Sequence, residues 1–191
     1  MIKKYFDLKK INLSNFNLFL FYGKNDGLQN EVIKDIFTNN FIGSINRYDE
    51  SEIINNYETI ASELLTRSLF EKEKIIIVSR TSDKILKFLD EILDKDIKDI
   101  KIILKSSELE KRSKIRNFFE KRKDLIIVPF YEDNSNTLYS IIIEFLNKNN
   151  INMSRESINL LVNRANGNRK ILKTELDKIL NYSFTKKKNR F

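Results

Sequence analysis

The chain has 191 residues, 41% of them hydrophobic, and carries 35 Lys and Arg against 27 Asp and Glu, a net charge of +8. That length holds one domain or two small ones with a sizeable core, and the charge suits contact with a polyanion such as nucleic acid. The absence of Cys and His excludes a disulfide framework, zinc sites built on imidazole or thiolate, and Ser-His or Cys-His nucleophilic pairs.

A chain this crowded with Ile, Lys and Asn also acquires basic charge from genome composition, so charge alone does not select a nucleic-acid partner. No apolar stretch approaches the ~20 residues of a membrane span. The N-terminal Met1-Ile2-Lys3-Lys4 is basic, but Asp7, Lys9 and Lys10 interrupt the segment after it, which argues against a secretory signal. A cytoplasmic protein with no membrane partner is expected.

In chain order, the apolar run Asn17 to Tyr22 reads as a first buried strand that stops at Gly23. The loop Gly23-Lys24-Asn25-Asp26-Gly27 comes next, then a helix over 28–37 with Leu28, Val32, Ile33, Ile36 and Phe37 on one face. A strand, a glycine loop and a helix form the setting of a phosphate-binding loop. The chemistry differs: the loop is short, Lys24 is misplaced, and Gly27 is followed by Leu28-Gln29 rather than Lys and a hydroxyl. Gly23, Lys24 and Gly27 therefore mark a degenerate loop not expected to bind nucleotide.

Residues 44–48 form a weak second strand. A helix is predicted over 51–67, with Ser51 as N-cap. The tip Ser68-Leu69-Phe70 and the charged run Glu71 to Lys74 precede a β-branched strand, Ile75 to Val78. In an active nucleotidase that strand would end in acids holding magnesium; here it ends in Ser79-Arg80-Thr81. A helix over 84–93, a strand over 100–104, a charged helix over 108–122 and a strand over 125–128 complete an alternating pattern. The acidic groups around Asp90 to Asp99, interleaved with Lys95 and Lys98, read as a solvated turn rather than a two-metal site.

The alternation argues for an α/β domain, a parallel sheet with helices on both faces, over 1–131. Three helices over 137–147, 154–166 and 169–181 then form a small helical domain, 132–182, and 183–191 reads as a frayed basic tail. On the residues alone Leu69 and Phe70 fit two readings, a hydrophobic plug for another protein or part of the core.

An α/β domain with a vestigial phosphate loop and then a three-helix lid resembles the AAA+ clamp-loader superfamily. Phe19 to Gly23, Ser68-Leu69-Phe70 ahead of Lys74 to Val78, Ala165 to Arg169, and Glu175 to Ile179 narrow the resemblance to the delta subunits of bacterial DNA polymerase III. It implies a non-catalytic role in DNA replication: holding open the sliding clamp, the ring-shaped beta subunit, for loading onto primed DNA. It implies no cofactor and no intrinsic catalysis, but membership of the DNA polymerase III holoenzyme.

By the same resemblance Leu69 and Phe70, preceded by Ser68, are the clamp-binding residues. Such motifs often carry Gln three residues before the serine, where this chain has Leu65. Primer-template DNA and the other loader subunits are further implied partners. Family members continue into a helical collar domain; this chain stops after the lid, which would weaken or abolish assembly with those subunits. The competing readings are a P-loop ATPase or nucleotide kinase, and a basic nucleic-acid-binding module.

Overall fold

The computed structural model describes residues 1–65, 73–93, 95, 97 and 99–188. The chain divides into two compact units, one of residues 1–24 and 29–130, the other of residues 25–28 and 131–191.

The first unit is built on a five-stranded parallel sheet: β1 (Leu18–Tyr22), β2 (Ser44–Asp49), β3 (Lys74–Ser79), β4 (Ile100–Ser106) and β5 (Ile126–Pro129). The spatial order is β2-β3-β4-β1-β5, with Leu20 aligned to Leu104 on one side and Ile127 on the other. Strands buried on both faces read as continuous apolar runs rather than alternating ones, and every residue of β1 is buried. One side of the β5 edge is covered by the N-terminal segment, which forms a parallel bridge from Ile2 to Ile127, a device that blunts an open edge.

Successive side chains of β1 serve opposite faces. Leu18 and Leu20 join a core cluster with Ile76, Val78, Ile102 and Leu104. Four helices feed the same cluster: α2 (Glu50–Asn55) through Ile53, α3 (Tyr57–Leu65) through Ile60, α4 (Leu86–Leu93) through Phe88 and Leu89, and α5 (Lys114–Lys121) through Ile115 and Phe119. Phe19 and Phe21 instead meet Phe37, at ring-centroid distances of 4.9 and 6.1 Å. Phe37 lies beyond α1 (Asp26–Val32), where the helix continues over Ile33–Thr38 as a wider π turn.

Several local expectations are corrected. The helix expected over 51–67 is two helices that break at Asn56. Its N-cap is Asp49, not Ser51: the Asp49 carboxylate accepts from Ser51 N, and Glu52 closes a capping box. Helix α5 begins at Lys114 rather than residue 108, capped by Ser113.

The start of α5 is anchored from outside. Asp83 Oδ1 accepts hydrogen bonds from Ile115 N and Ser113 Oγ, each at 2.9 Å. The Ile115 N–H is the largest influence holding the Asp83 carboxyl below its ordinary value of 3.8. A depressed folded-state pKa contributes stability that is present above the unfolded value and is lost as pH falls through the folded one. Urea unfolding of wild type and Asp83→Asn between about pH 5 and pH 3 should show a shallower acid loss in the variant. Identical pH slopes would refute the anchoring role.

The second unit is helical: α6 (Ser135–Asn149), α7 (Arg155–Ala165) and α8 (Arg169–Lys188). Leu138, Ile142, Leu146, Ile158, Val162 and Leu172 meet in its core. Asn134 caps α6, Ser154 caps α7, and the Asn168 side chain accepts from Lys170 N and Ile171 N at the start of α8. Asn166, with φ of 43°, and Gly167, with φ of 76°, turn the chain after α7. Helix α8 runs on to Lys188, past residue 181 where the third helix was expected to end.

Candidate functional site

In parallel α/β sheets, ligands bind outside the C-terminal ends of the strands. In the first unit those ends are occupied by polar groups that satisfy one another. The Gln29 amide, 1% exposed, donates to Gly23 O and Ser106 O at 3.2 Å each, joining the ends of β1 and β4. Past β3, Thr81 Oγ1 lies 2.6 Å from Ser106 Oγ and 3.0 Å from Lys105 O. Ser106 Oγ also lies within hydrogen-bond distance of Thr81 O, at 2.7 Å. Past β2 the buried Glu50 carboxylate accepts from Ser82 N at 2.6 Å and from Ser82 Oγ at 2.8 Å, so a carboxylate, hydroxyls and an amide at these strand ends find their partners within the unit.

The charged groups nearby are also engaged. Lys24 Nζ lies 3.7 Å from Glu108 Oε2 across an exposed ion pair, worth little to stability. Arg80, in the left-handed region with φ of 58°, pairs with Asp49. Among the described residues no group of three or more carboxylates is placed to hold a metal ion, and no helix is long and apolar enough to cross a membrane.

Gly23 has φ of 129°, and a Cβ there would sit 2.1 Å from Phe130 O. The glycine serves a close backbone approach at the end of β1. Gly27 belongs to the second unit. Its Cβ position is 3.0 Å from Lys170 N and 3.2 Å from Arg169 Cβ, so the helix start of α8 lies directly against it.

In the same unit Asp133 accepts from Arg169 Nε at 2.8 Å and Arg169 Nη2 at 2.7 Å. Asn25 Nδ2 donates to the same carboxylate at 2.9 Å and to Tyr131 O at 3.0 Å. The two charged side chains are 10% and 5% exposed.

Of the residues singled out from the sequence, Leu65 is the last residue of α3; Ser68, Leu69 and Phe70 lie outside the described residues. Gly23 and Lys24 fall in the first unit and Gly27 in the second. Asn25, Gln29, Thr81, Ser106 and Asp133 carried no sequence signal. Arg169 stands in the turn motif Ala165 to Arg169, but its partner is 36 residues away.

These features define a class: an AAA+-like α/β module, a five-stranded parallel sheet with flanking helices, followed in the chain by a helical unit. A family model described as DNA polymerase III, delta subunit, matches residues 19–129, more than half the chain, and the chain belongs to that family, which is related to clamp loaders and serves DNA replication.

A probable DNA polymerase III subunit delta from Rickettsia prowazekii (strain Madrid E) is 23% identical over 162 residues, covering 84% of this chain and 49% of the relative. The chain thus spans about half the length of that relative. The Bacillus subtilis DNA clamp loader delta protein superposes with a TM-score of 0.58 at 15% identity, over 93% of this chain and 57% of that one. Domain III of the Thermotoga maritima replication initiation protein DnaA gives 0.59 at 14% identity, over 96% and 84%. At those identities the two structures speak to the fold alone.

Proposed function

We propose that this chain is the clamp-engaging arm of a DNA polymerase III clamp loader, binding and helping to open the sliding clamp through Leu69 and Phe70 without hydrolysing ATP. The observation that carries the reading is the delta-subunit family match over 19–129, which contains the whole segment from α3 to β3. In the sequence Leu69 and Phe70 stand between Leu65, the last described residue of α3, and Lys74, the first of β3. The self-satisfied hydroxyls and amide at the strand ends support a binding role rather than a catalytic one. The other loader subunits and primer-template DNA are the remaining partners, and the work is done in the cytoplasm.

Burying a Leu and a Phe side chain is worth roughly 1.5–3 kcal/mol each, less the cost of ordering. At about 1.4 kcal/mol per decade, removing both is expected to weaken clamp binding about a hundredfold or more. The test is titration of the cognate sliding clamp with wild type and with the double variant Leu69→Ala, Phe70→Ala, with circular dichroism confirming that both are folded. Equal affinity would overturn the assignment. A basic nucleic-acid module would instead bind DNA with a steep salt dependence and ignore the double change.

A further inference from the structure

The edge of the sheet beyond β5 carries a surface that the proposed clamp contact does not use. The N-terminal segment lies along that edge: Lys3 N donates to Ile127 O at 2.9 Å, and Ile127 N to Met1 O at 3.0 Å. The chain then winds into a 3₁₀ helix over Tyr5–Lys10. Tyr5 anchors it, its ring stacked on Phe130 at 6.1 Å and edge-on to Phe6 at 5.4 Å, and Leu8 is fully buried. Phe6 is left 50% exposed, with Lys4 Nζ 5.6 Å from its ring centroid.

Once the ion pairs are set aside, the charges on this edge are of one sign. Asp7 pairs with Lys10 at 3.8 Å, Glu120 with Arg116 at 2.8 Å and Asp124 with Arg122 at 2.9 Å. Residues 1–10 and 120–125 hold no other carboxylate side chain. Among the described residues, Lys3, Lys4 and Lys9 in the first segment and Lys121 and Lys123 in the second make no ion pair. The two segments are neighbours because Ile127, just beyond the second, is bridged by Ile2.

Single exposed apolar side chains are ordinary, and basic charge alone names no partner. The combination is narrower. Unpaired cations in a row track a phosphate backbone, and an exposed aromatic ring among them offers a face on which an unpaired base stacks. The bases of a duplex are already stacked on one another and gain nothing from the ring. A lipid surface takes a broad apolar face, whereas this edge exposes one aromatic ring and Ile2.

We propose that this edge binds single-stranded DNA, with Phe6 as the stacking platform and Lys3, Lys4, Lys9, Lys121 and Lys123 on the phosphates. The inference rests on the reading above only for the choice of DNA, the chain belonging to a family that serves DNA replication. It uses neither Leu69 nor Phe70.

The test is fluorescence anisotropy of a fluorescein-tagged oligothymidylate titrated with the full chain at several salt concentrations. The variants are Phe6→Ala, Phe6→Leu, Phe6→Tyr and the double variant Lys4→Gln, Lys9→Gln, each checked for folding by far-UV circular dichroism. Stacking of a base on an aromatic ring corresponds to about five- to a hundredfold in affinity. Phe6→Ala and Phe6→Leu are expected to weaken binding by that factor, and Phe6→Tyr to preserve it. Phe6→Leu keeps the apolar bulk without the π face, and it decides the matter where Phe6→Ala does not fold. Each phosphate neutralised on a single strand contributes roughly −0.7 to the slope of log affinity against log salt, so the double lysine variant should flatten that slope by roughly 1.4. The single strand should bind more tightly than a duplex of the same length.

Unchanged affinity in Phe6→Leu, an unchanged salt slope in the lysine variant, or a duplex bound as tightly as the single strand would overturn the proposal. So would binding to phosphatidylglycerol vesicles without binding to the oligonucleotide. The double variant Leu69→Ala, Phe70→Ala is expected to leave DNA binding unchanged, and Phe6→Leu to leave clamp binding unchanged, so failure of one reading is seen apart from failure of the other.

Discussion

Gly23→Ala is expected to destabilise the first unit by about 3 kcal/mol or more. A non-glycine residue forced into a rare backbone region costs ~1–3 kcal/mol, and the φ of 129° at this position lies outside what an L side chain readily adopts. To that is added a collision no rotamer change can relieve, since the added Cβ would lie 2.1 Å from the backbone oxygen of Phe130. Neither strand end withdraws cheaply: Gly23 N donates to Ser107 O at 3.1 Å and Phe130 N to Tyr22 O at 2.8 Å. Urea unfolding followed by far-UV circular dichroism measures the loss. A cost below about 1 kcal/mol would mean that the loop relaxes freely and that its glycine is no more than a remnant.

Phe21→Ala is expected to cost about 3–5 kcal/mol, the range for truncating a buried aromatic. Phe21 is fully buried, with its ring 4.9 Å from Phe130 and 6.1 Å from Phe37, and such pairs add about 0.5–1.5 kcal/mol beyond area burial. Because Phe130 is a neighbour of both Gly23 and Phe21, the two substitutions share a partner. Their costs should fall short of additivity in the double variant, as is usual for residues coupled through a common contact. The same denaturation series reads this. A cost for Phe21→Ala under about 1.5 kcal/mol would show that Phe37 and Phe130 close the gap, and strict additivity would show that Phe130 does not couple the two sites.

The alternation of strands and helices was readable because each buried parallel strand is a short apolar run bounded by polar turns, and each helix repeats its apolar residues at helical spacing. Residues 17–22 and 75–78 needed no tertiary information to be recognised. Element ends were less readable. Asp49 outranks Ser51 as a cap because Glu52 reaches back to the Asp49 backbone N–H at the same time, and a single-residue rule does not weigh that reciprocity. The break at Asn56 carries neither Pro nor Gly. The onset of α5 depends on Asp83, a side chain more than thirty residues away from Ile115.

The candidate site divides along the same line. The departures from a phosphate-loop pattern at Gly27-Leu28 and Ser79-Arg80 are readable from the sequence alone, since that loop requires particular residue types at fixed spacing. The Leu69-Phe70 pair was singled out by pattern and resemblance and lies outside the described residues. The long-range polar contacts were not visible: Gln29 on Ser106, Thr81 on Ser106, and Asp133 on Arg169 with Asn25 join residues far apart in the chain, and none belongs to a periodic pattern. Local backbone propensity and apolar periodicity are properties of neighbouring residues, so they can be read along the chain. The strand order β2-β3-β4-β1-β5, and the partner each buried polar group takes, arise only once the apolar faces have packed. Burial then makes an unpaired donor or charge costly and leaves each such group to be satisfied by whichever distant partner the packing has brought within reach.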